Sequence, residues 1–235
     1  MIDVHCHILP AIDDGPSNIS ESLKMAEMAY RDGITTIVAT PHIKDRIHPV
    51  KVIQDKVDEL NRLLTERAVP LKIVRGADVS ALLPSSLLKD YTINETSYIL
   101  MEFPHTHLPQ NAGELLFNAI IMGLQPIITH PERNPSIVRN PHLLTPLIGV
   151  NSLVQVTAGS LTGYFGTEVQ ECAFYLLKQG LVHIIATDAH SNSGRIPVLS
   201  EGFKAAENIV GRDCALRLVQ TNPASVIAGT PINVA

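Results

Sequence analysis

Cysteine is scarce in this 235-residue sequence, tryptophan is absent and no basic run occurs. The three cysteines are widely spaced and odd in number, which fits a reducing compartment rather than a disulfide framework. Lys and Arg total 18 against 23 Asp and Glu, so a surface that neutralises nucleic-acid phosphates is not expected. No window is apolar enough to span a bilayer, and the first residues lack the basic segment of a signal peptide. We therefore expect a cytoplasmic protein with no direct membrane insertion and no nucleic-acid partner.

Helical and strand-like patterns alternate along the chain. The segment after Asn18 has apolar residues at helical spacing, with Asn18 and Glu21 as a capping box and Gly33 as the stop. The stretch from Val50 to Leu64 predicts a second amphipathic helix. Strand-like runs separate these and later helices: IDV, ITTIVAT, LKIVRGADV, YILMEF, PIITH, LVQVT and VHIIAT.

About seven strands separated by helices predict parallel βαβ units within one domain that spans residues 1–235. The last predicted helices, Leu199 to Ile209 and Cys214 to Val219, are expected to pack outside this unit. At this length the pattern favours an α/β fold of the closed or nearly closed barrel type. An open doubly wound sheet is the alternative.

Ionisable residues stand where the strand-like runs end. In a parallel barrel the carboxyl ends of the strands converge on one face, so residues far apart in sequence become neighbours. The sequence therefore predicts a cleft lined from several strands. Its candidate residues are His5, His7, His42, Asp78, Glu102, His130, Arg133, Asp188 and His190.

The spacing of two pairs favours metal binding. Alternation along a strand turns His5 and His7 to one side and Cys6 to the other, and Asp188 and His190 share that spacing. Imidazoles with carboxylates suit Mn, Fe or Zn better than Ca or Mg. A single His-x-His pair is also common on surfaces and in cores, so the prediction depends on the recurrence at strand ends.

Singly, some of these residues have ordinary structural explanations. His42 could be a turn residue, Glu102 a solvated strand end and Arg133 a salt-bridge partner. His105 and His107 are candidate neighbours of the cleft and no more. The remaining histidines and two aspartates are expected to be structural or surface residues: Asp3, Asp13, His48, His142 and His183.

The ordered motifs DVHCHILPAIDDG, ATPH, GADV, EFP, THPERN, GSLTGYFG and ATDAH resemble those of the PHP (polymerase and histidinol phosphatase) superfamily. Within it, the chain is similar to the bacterial protein-tyrosine phosphatases of capsule and exopolysaccharide loci, the CpsB/YwqE type. The likeness covers nearly the whole sequence, and the combination of HCHILPxxDDG, HPERN and GSLxGxFG is its most specific part. It implies a distorted (β/α)7 TIM-like barrel.

The resemblance also implies a centre of three divalent ions. Manganese is the expected ion, with iron, zinc and magnesium left open. The implied ligands fall into three sets: His5, His7 and Asp188; Glu102 and His130; and Asp14, His42 and His190.

Two further features come from the same resemblance. A glutamate bridges the first two ions in relatives, whereas this chain has the shorter Asp78 in RGADVS, so full occupancy is an open question. Arg133 and Arg195 match the two arginines that hold the substrate phosphate. The four implied carboxylate ligands contribute about −4 against about +6 from three ions, and the excess suits a phosphate dianion.

The function implied is metal-dependent hydrolysis of phosphotyrosine on a protein, with the tyrosine-rich tail of a bacterial tyrosine kinase as the expected partner. A cysteine nucleophile is disfavoured because Ile12, Lys178 and Gln220, not arginines, stand six residues after the cysteines. Three alternatives stay open: a small-molecule phosphomonoesterase of the histidinol-phosphatase type, a nucleic-acid phosphodiesterase, which the acidic charge disfavours, and a metal-depleted binding module.

Overall fold

A computed structural model of the chain describes residues 1–149 and 151–232, and the remaining residues of the predicted domain lie outside the described part. The strands are β1 (Ile2–Cys6), β2 (Thr36–Ala39), β3 (His42–Ile43), β4 (Lys72–Arg75), β5 (Asp78–Ser80), β6 (Tyr98–Glu102), β7 (Gln125–Thr129), β8 (Leu153–Thr157) and β9 (Ile184–Ala186). The α-helices are α1 (Ile19–Arg31), α2 (Val50–Glu66), α3 (Ala112–Ile121), α4 (Pro135–Arg139), α5 (Thr145–Gly149), α6 (Ala158–Leu161), α7 (Thr167–Lys178), α8 (Ser200–Val210), α9 (Arg212–Leu216) and α10 (Asn222–Ala228).

The nine strand segments occupy seven positions around a closed parallel barrel. β1, β2 and β4 pair in that order, and β3, β5, β6, β7, β8 and β9 continue the sequence of neighbours. β2 with β3, and β4 with β5, each form one interrupted strand. At the second interruption a Cβ on Gly76 would lie 2.5 Å from Val38 Cγ1, so glycine permits the close approach of the two strands.

Backbone hydrogen bonds between the two ends of the strand order close the barrel. The Asp188 N–H donates to His5 O at 2.8 Å, and the His7 N–H donates to Ala189 O at 2.8 Å. Cys6 forms a parallel bridge with Ala189. The predicted (β/α)7 barrel is therefore confirmed, and the open sheet is not formed.

Apolar residues form two cores on the two sides of the barrel wall. One fills the barrel interior with residues such as Val4, Leu100 and Ile127, and Val226 of α10 packs into it from below. The other lies between the strands and the surrounding helices, where α2 buries Leu60 among other residues at helical spacing. Fully burying each such side chain contributes roughly 1.5–3 kcal/mol to the stability of the fold. The two cores therefore hold the strands, and the polar residues at their ends, in fixed positions.

Helix α1 begins nearly as predicted. The Asn18 side chain accepts the Glu21 N–H at 3.1 Å, and Gly33 adopts φ +88° just after the helix. The reciprocal half of the capping box is different, because the Glu21 carboxylate accepts the N–H of Ser17 at 2.8 Å rather than that of Asn18. The Glu21 carboxylate therefore holds the residue that precedes the N-cap, Ser17, in place by a hydrogen bond.

The helical end of the chain is longer than predicted. α8 matches the first predicted segment, while the second spans the end of α9 and part of a π-helical turn, Arg217–Thr221, and α10 follows as a further helix. In the part of the chain that the structure describes, no helix combines the length and the apolar character needed to cross a membrane.

Candidate metal centre

Side chains from six strand ends and the loop after β1 meet in one pocket at the carboxyl end of the barrel. Among the described residues, five groups of imidazole and carboxylate donors each fall within 4.8 Å of one another. Together they contain all nine predicted ligands and one further residue, His105. The groups are His7, Asp14, His42 and His190; His5, His130 and Asp188; His5, His7 and Asp78; Glu102, His105 and His130; and His42, Asp78 and Glu102.

A β-bulge in β1 turns His5 into the pocket. Asp3 pairs with Ile37 and Cys6 with Ala39, so three steps along β1 match two along β2. The Nδ1 atom of His5 lies 2.8 Å from Gln155 Oε1, across the barrel. The amide oxygen accepts a hydrogen bond from Nδ1–H, which leaves the lone pair of Nε2 facing the pocket, 3.2 Å from His7 Nε2.

His7 is oriented by Asp13 in the same way. Its Nδ1 lies 2.7 Å from Asp13 Oδ2, and its Nε2 lies 3.4 Å from Asp188 Oδ1. Burial alone would lower the pKa of His7, but the carboxylates of Asp13 and Asp188 outweigh it and raise the pKa to about 10. Asp13 also accepts the N–H of His42 at 3.0 Å, so it fixes two candidate ligands without belonging to the donor groups of the described chain.

Asp14, His42 and His190 lie together as the resemblance implied. Asp14 Oδ1 is 3.6 Å from His42 Nε2 and 3.4 Å from His190 Nε2. His190 Nδ1 donates to the carbonyl of Asp188 at 2.9 Å, which again leaves Nε2 free. The neighbouring His190 lowers the pKa of Asp14, although 63% of this side chain is exposed, so the carboxylate is ionised over the working range of pH.

The short Asp78 side chain still reaches donors on both sides. Its Oδ2 atom lies 3.3 Å from His42 Nδ1 and 3.7 Å from His5 Nε2. Burial would raise the pKa of this fully buried carboxyl, but the imidazoles of His5 and His42 hold it below its ordinary value. Asp78 does not share a donor group with His130 in the described structure.

Several buried polar atoms in the pocket have no hydrogen-bond partner among the described residues. Such an atom ordinarily costs about 1–3 kcal/mol, so a cluster of them signals a missing charge partner. Nitrogen and oxygen donors that converge in this way fit divalent transition metals. The atoms are His42 Nδ1, Asp78 Oδ2, Glu102 Oε1 and His190 Nε2.

Glu102 and His130 form another edge of the pocket. His130 Nε2 lies 3.6 Å from Glu102 Oε1, and the His130 backbone takes φ +34°, a left-handed conformation that is uncommon for histidine. Burial, with a further contribution from Arg133, holds the pKa of His130 well below its ordinary value. The imidazole is therefore neutral, as a metal ligand must be.

Both predicted phosphate-binding arginines contact the pocket. Arg133 Nη1 and Arg195 Nη2 donate to the same oxygen, Asp188 Oδ2. The ring of Phe165 lies beneath them, 4.3 Å from Arg133 Cζ and 5.7 Å from Arg195 Cζ. This cation–π contact orients the guanidinium groups next to the candidate ligands.

Three residues with a place in this site, Asp13, Gln155 and Phe165, are not found from the sequence, and a fourth, His105, is predicted only as a neighbour of the cleft. The position of Asp13 close to the His-x-His pair is a usable signal. Gln155 interrupts the apolar run LVQVT on its inward-facing side. Phe165 lies in the GSLTGYFG motif, and His105 follows the end of β6 by three residues.

The other residues expected to be structural lie outside these donor groups in the described chain. Asp3 is fully buried and accepts the N–H of Thr187 at 3.0 Å, and burial raises its pKa to about 6. His183 Nδ1 accepts the N–H of Val154 at 3.1 Å within the barrel wall. His107, the other candidate neighbour of the cleft, is exposed beside Thr106 and also lies outside these groups. His48 and His142 likewise lie elsewhere.

A closed parallel barrel with clustered imidazoles and carboxylates at the carboxyl ends of its strands defines a class of β/α-barrel proteins built to hold divalent metal ions. Within that class, the chain belongs to the family described as capsular polysaccharide synthesis, CpsB/CapC, whose model matches residues 1–228.

Relatives and solved structures agree with this family. The tyrosine-protein phosphatase YwqE of Bacillus subtilis is 36% identical over 226 residues, which are 94% of this chain and 89% of YwqE. CpsB of Streptococcus pneumoniae is 30% identical over 240 residues, 97% of this chain and 98% of CpsB. A chain from the crystal structures of YwqE and CpsB, which are described as metal-dependent tyrosine phosphatases, matches this chain with a TM-score of 0.93 and 35% identity. The match covers 99% of this chain and 96% of the other. A β-aspartyl dipeptidase of Fervidobacterium islandicum, at 15% identity and TM-score 0.58, covering 96% of this chain and 74% of its own, shares the fold alone.

Proposed function

We propose that this protein is a metal-dependent protein-tyrosine phosphatase of capsule or exopolysaccharide synthesis that acts in the cytoplasm. The observation that carries the proposal is the pocket of clustered imidazoles and carboxylates that adjoins two arginines. The names of its relatives support the same activity. The proposed partner is a phosphotyrosyl protein, in particular the tail of a bacterial tyrosine kinase.

The donor groups fit three divalent ions, with manganese as the expected metal. The proposed ligands are His5, His7 and Asp188 for one ion, Glu102 and His130 for the second, and Asp14, His42 and His190 for the third, with Asp78 between them. When bound, such ions supply Lewis acidity and positive charge at the phosphoryl group.

The protein's own side chains hold and orient the substrate. Arg133 and Arg195 bind the nonbridging phosphoryl oxygens, and Phe165 keeps their planar groups in position beneath them. Both guanidinium groups contact Asp188, a proposed metal ligand, so they lie next to the donor groups at which we propose that the phosphate binds. In the hydrolysis a water oxygen bonds to phosphorus and the tyrosyl oxygen leaves. The leaving group is a phenolate whose conjugate acid has a pKa of ~10, which lessens the need for a strong general acid.

A cysteine mechanism has no support in the geometry. Cys6 lies between the candidate ligands His5 and His7 in the sequence. It is fully buried, and its Sγ lies 3.8 Å from the carbonyl oxygen of Ala189. Burial raises the pKa of this thiol well above its ordinary value, so its thiolate is scarce at neutral pH. Burial also raises the pKa of Cys172 to about 12.

A comparison of substrates tests the proposal. Manganese-loaded protein is assayed with a phosphotyrosyl peptide, the same peptide carrying phosphoserine, histidinol phosphate and a dinucleotide phosphodiester. We expect kcat/KM to be highest for the phosphotyrosyl peptide by at least about tenfold, because contacts with an apolar group discriminate by roughly 10–200-fold. Fast hydrolysis of histidinol phosphate with an intact phosphotyrosyl peptide would contradict the proposal and favour the small-molecule alternative.

A further inference from the structure

His105 lies at the solvent edge of the pocket, directly beside Glu102 and His130. Its Nε2 atom is 3.0 Å from Glu102 Oε1, and its ring lies nearly parallel to that of His130, at 14° and 5.7 Å between centroids. The side chain is 54% exposed, whereas those of Glu102 and His130 are almost fully buried. The imidazole therefore covers a buried carboxylate from the solvent side.

The contact between His105 and Glu102 lacks the direction of a hydrogen bond. Glu102 Oε1 has no hydrogen-bond partner among the described residues, although Nε2 of His105 is only 3.0 Å away. Two donors at about 2.1 Å from a shared ion are roughly 3.0 Å apart at an octahedral angle and about 3.4 Å apart at a tetrahedral one. The distances from Glu102 Oε1 to His105 and His130, 3.0 and 3.6 Å, lie around these values.

Among the described residues, the Glu102 and His130 pair shares a three-donor group with no residue other than His105. Asp78 shares groups with His5 and His7 and with His42 and Glu102, but not with His130 in the described chain. A glutamate at position 78 would extend one methylene further toward this pair. His105 is the residue that completes a three-donor group there.

We propose that His105 is a direct ligand of the ion held by Glu102 and His130, and that it supplies the donor which the shortened Asp78 does not. The inference rests on the proposed metal centre and adds a sixth histidine to its five proposed histidine ligands. His105 then also lies at the mouth of the pocket, where the substrate phosphate enters.

Cobalt-loaded protein with cysteine at position 105 tests direct ligation. In His105→Cys a thiolate bound to Co²⁺ gives sulfur-to-metal charge-transfer absorption in the near ultraviolet, which a merely neighbouring residue does not give. His107→Cys, two residues further on and exposed, is the matched control, and the native protein gives the baseline for its own three thiols. Absorption in His105→Cys alone supports the proposal. A cobalt-loaded His105→Cys protein without it overturns the proposal.

Metal titration of the apo-protein separates this proposal from the proposed function. In His105→Ala we expect one binding step to weaken by more than about 100-fold, because loss of a partner outside the ligand shell already costs roughly 10–100-fold. His107→Ala should bind as the native protein does, and Asp78→Glu should restore part of the lost affinity of His105→Ala. Native-like binding by His105→Ala overturns the role of His105, whereas a native protein that binds no ion contradicts the proposed function itself.

Discussion

Three of the imidazoles in the pocket each use one ring nitrogen for a fixed partner in the protein. His5 donates to Gln155, His7 to Asp13 and His190 to the carbonyl of Asp188. Each contact selects the tautomer that presents Nε2 to the pocket. The donor set is therefore preorganised by neighbours that a ligand motif does not contain.

Replacing Asp13 with asparagine tests this preorganisation. The Asp13 carboxylate orients the His7 ring and raises its pKa, and an amide in its place removes that negative charge. Compared at a pH high enough that His7 is unprotonated in both proteins, the manganese affinity should fall by roughly 10–100-fold with the fold retained. The measurement is titration of the apo-protein, with Asp55→Asn as the control because Asp55 pairs with Lys51 on the exposed face of α2. Unchanged affinity in Asp13→Asn would show that the ring needs no such partner.

The raised pKa of His7 predicts how metal binding depends on pH. With a pKa of about 10, His7 carries a proton in the apo-protein, and an ion that binds Nε2 must displace it. Raising the pH removes this competing proton, so the affinity of the protein for the metal ion increases with pH. Between about pH 7.5 and about pH 9 we expect the affinity to rise about tenfold per pH unit for one displaced proton.

Calorimetry in buffers of different ionisation enthalpy checks this expectation, since it counts the protons released on binding. The apo-protein should release close to one proton from this ring. Affinity that is flat over the same range, with no proton released, would mean that His7 is already neutral before the metal binds.

At the scale of elements, packing between α6 and α8 supports the turn that carries Phe165. A Cβ on Gly202 of α8 would lie 2.6 Å from Ala158 Cβ and 2.8 Å from Ala158 Cα in α6. Such distances force backbone to move, because the contact is not with a flexible side-chain end. The glycine therefore sets how closely α8 approaches the helix beside the arginines.

Gly202→Ala should consequently lower the free energy of unfolding by about 1–3 kcal/mol, the usual cost of overpacking. The matched control is Gly113→Ala in α3, where a Cβ would meet Leu147 Cδ2 at an ordinary 3.8 Å. That change should be neutral or stabilising by up to about 1 kcal/mol, because alanine favours the helix. Urea unfolding of both variants measures the difference, and equal stabilities would refute the close packing.

The strand ends are where prediction from the sequence succeeded. His5, Asp78, Glu102 and His130 could be brought together in advance because parallel strands in a barrel share one carboxyl end. His105 could be predicted only as a neighbour of the cleft and not as part of a donor group, since its position depends on how the chain turns after β6. Residues in turns have no periodicity from which a direction can be derived.

At the scale of the whole molecule, the number of strands alone did not decide between a barrel and an open sheet. The decision lies in the hydrogen bonds from His7 and Asp188 that join the first and last strands, and in the bulge of β1 that sets their register. Those hydrogen bonds join residues that are about 180 positions apart in the sequence, so no local sequence pattern predicts them. Closure matters for the site because it brings Asp188 against His5.

The most direct test of the central claim is phosphate release from a phosphotyrosyl peptide by metal-free protein, before and after manganese is added. We expect activity to require the metal, to survive alkylation of accessible thiols, and to be lost in His5→Ala at the same metal concentration. Hydrolysis by the metal-free native protein, or native activity in manganese-supplemented His5→Ala, would contradict it.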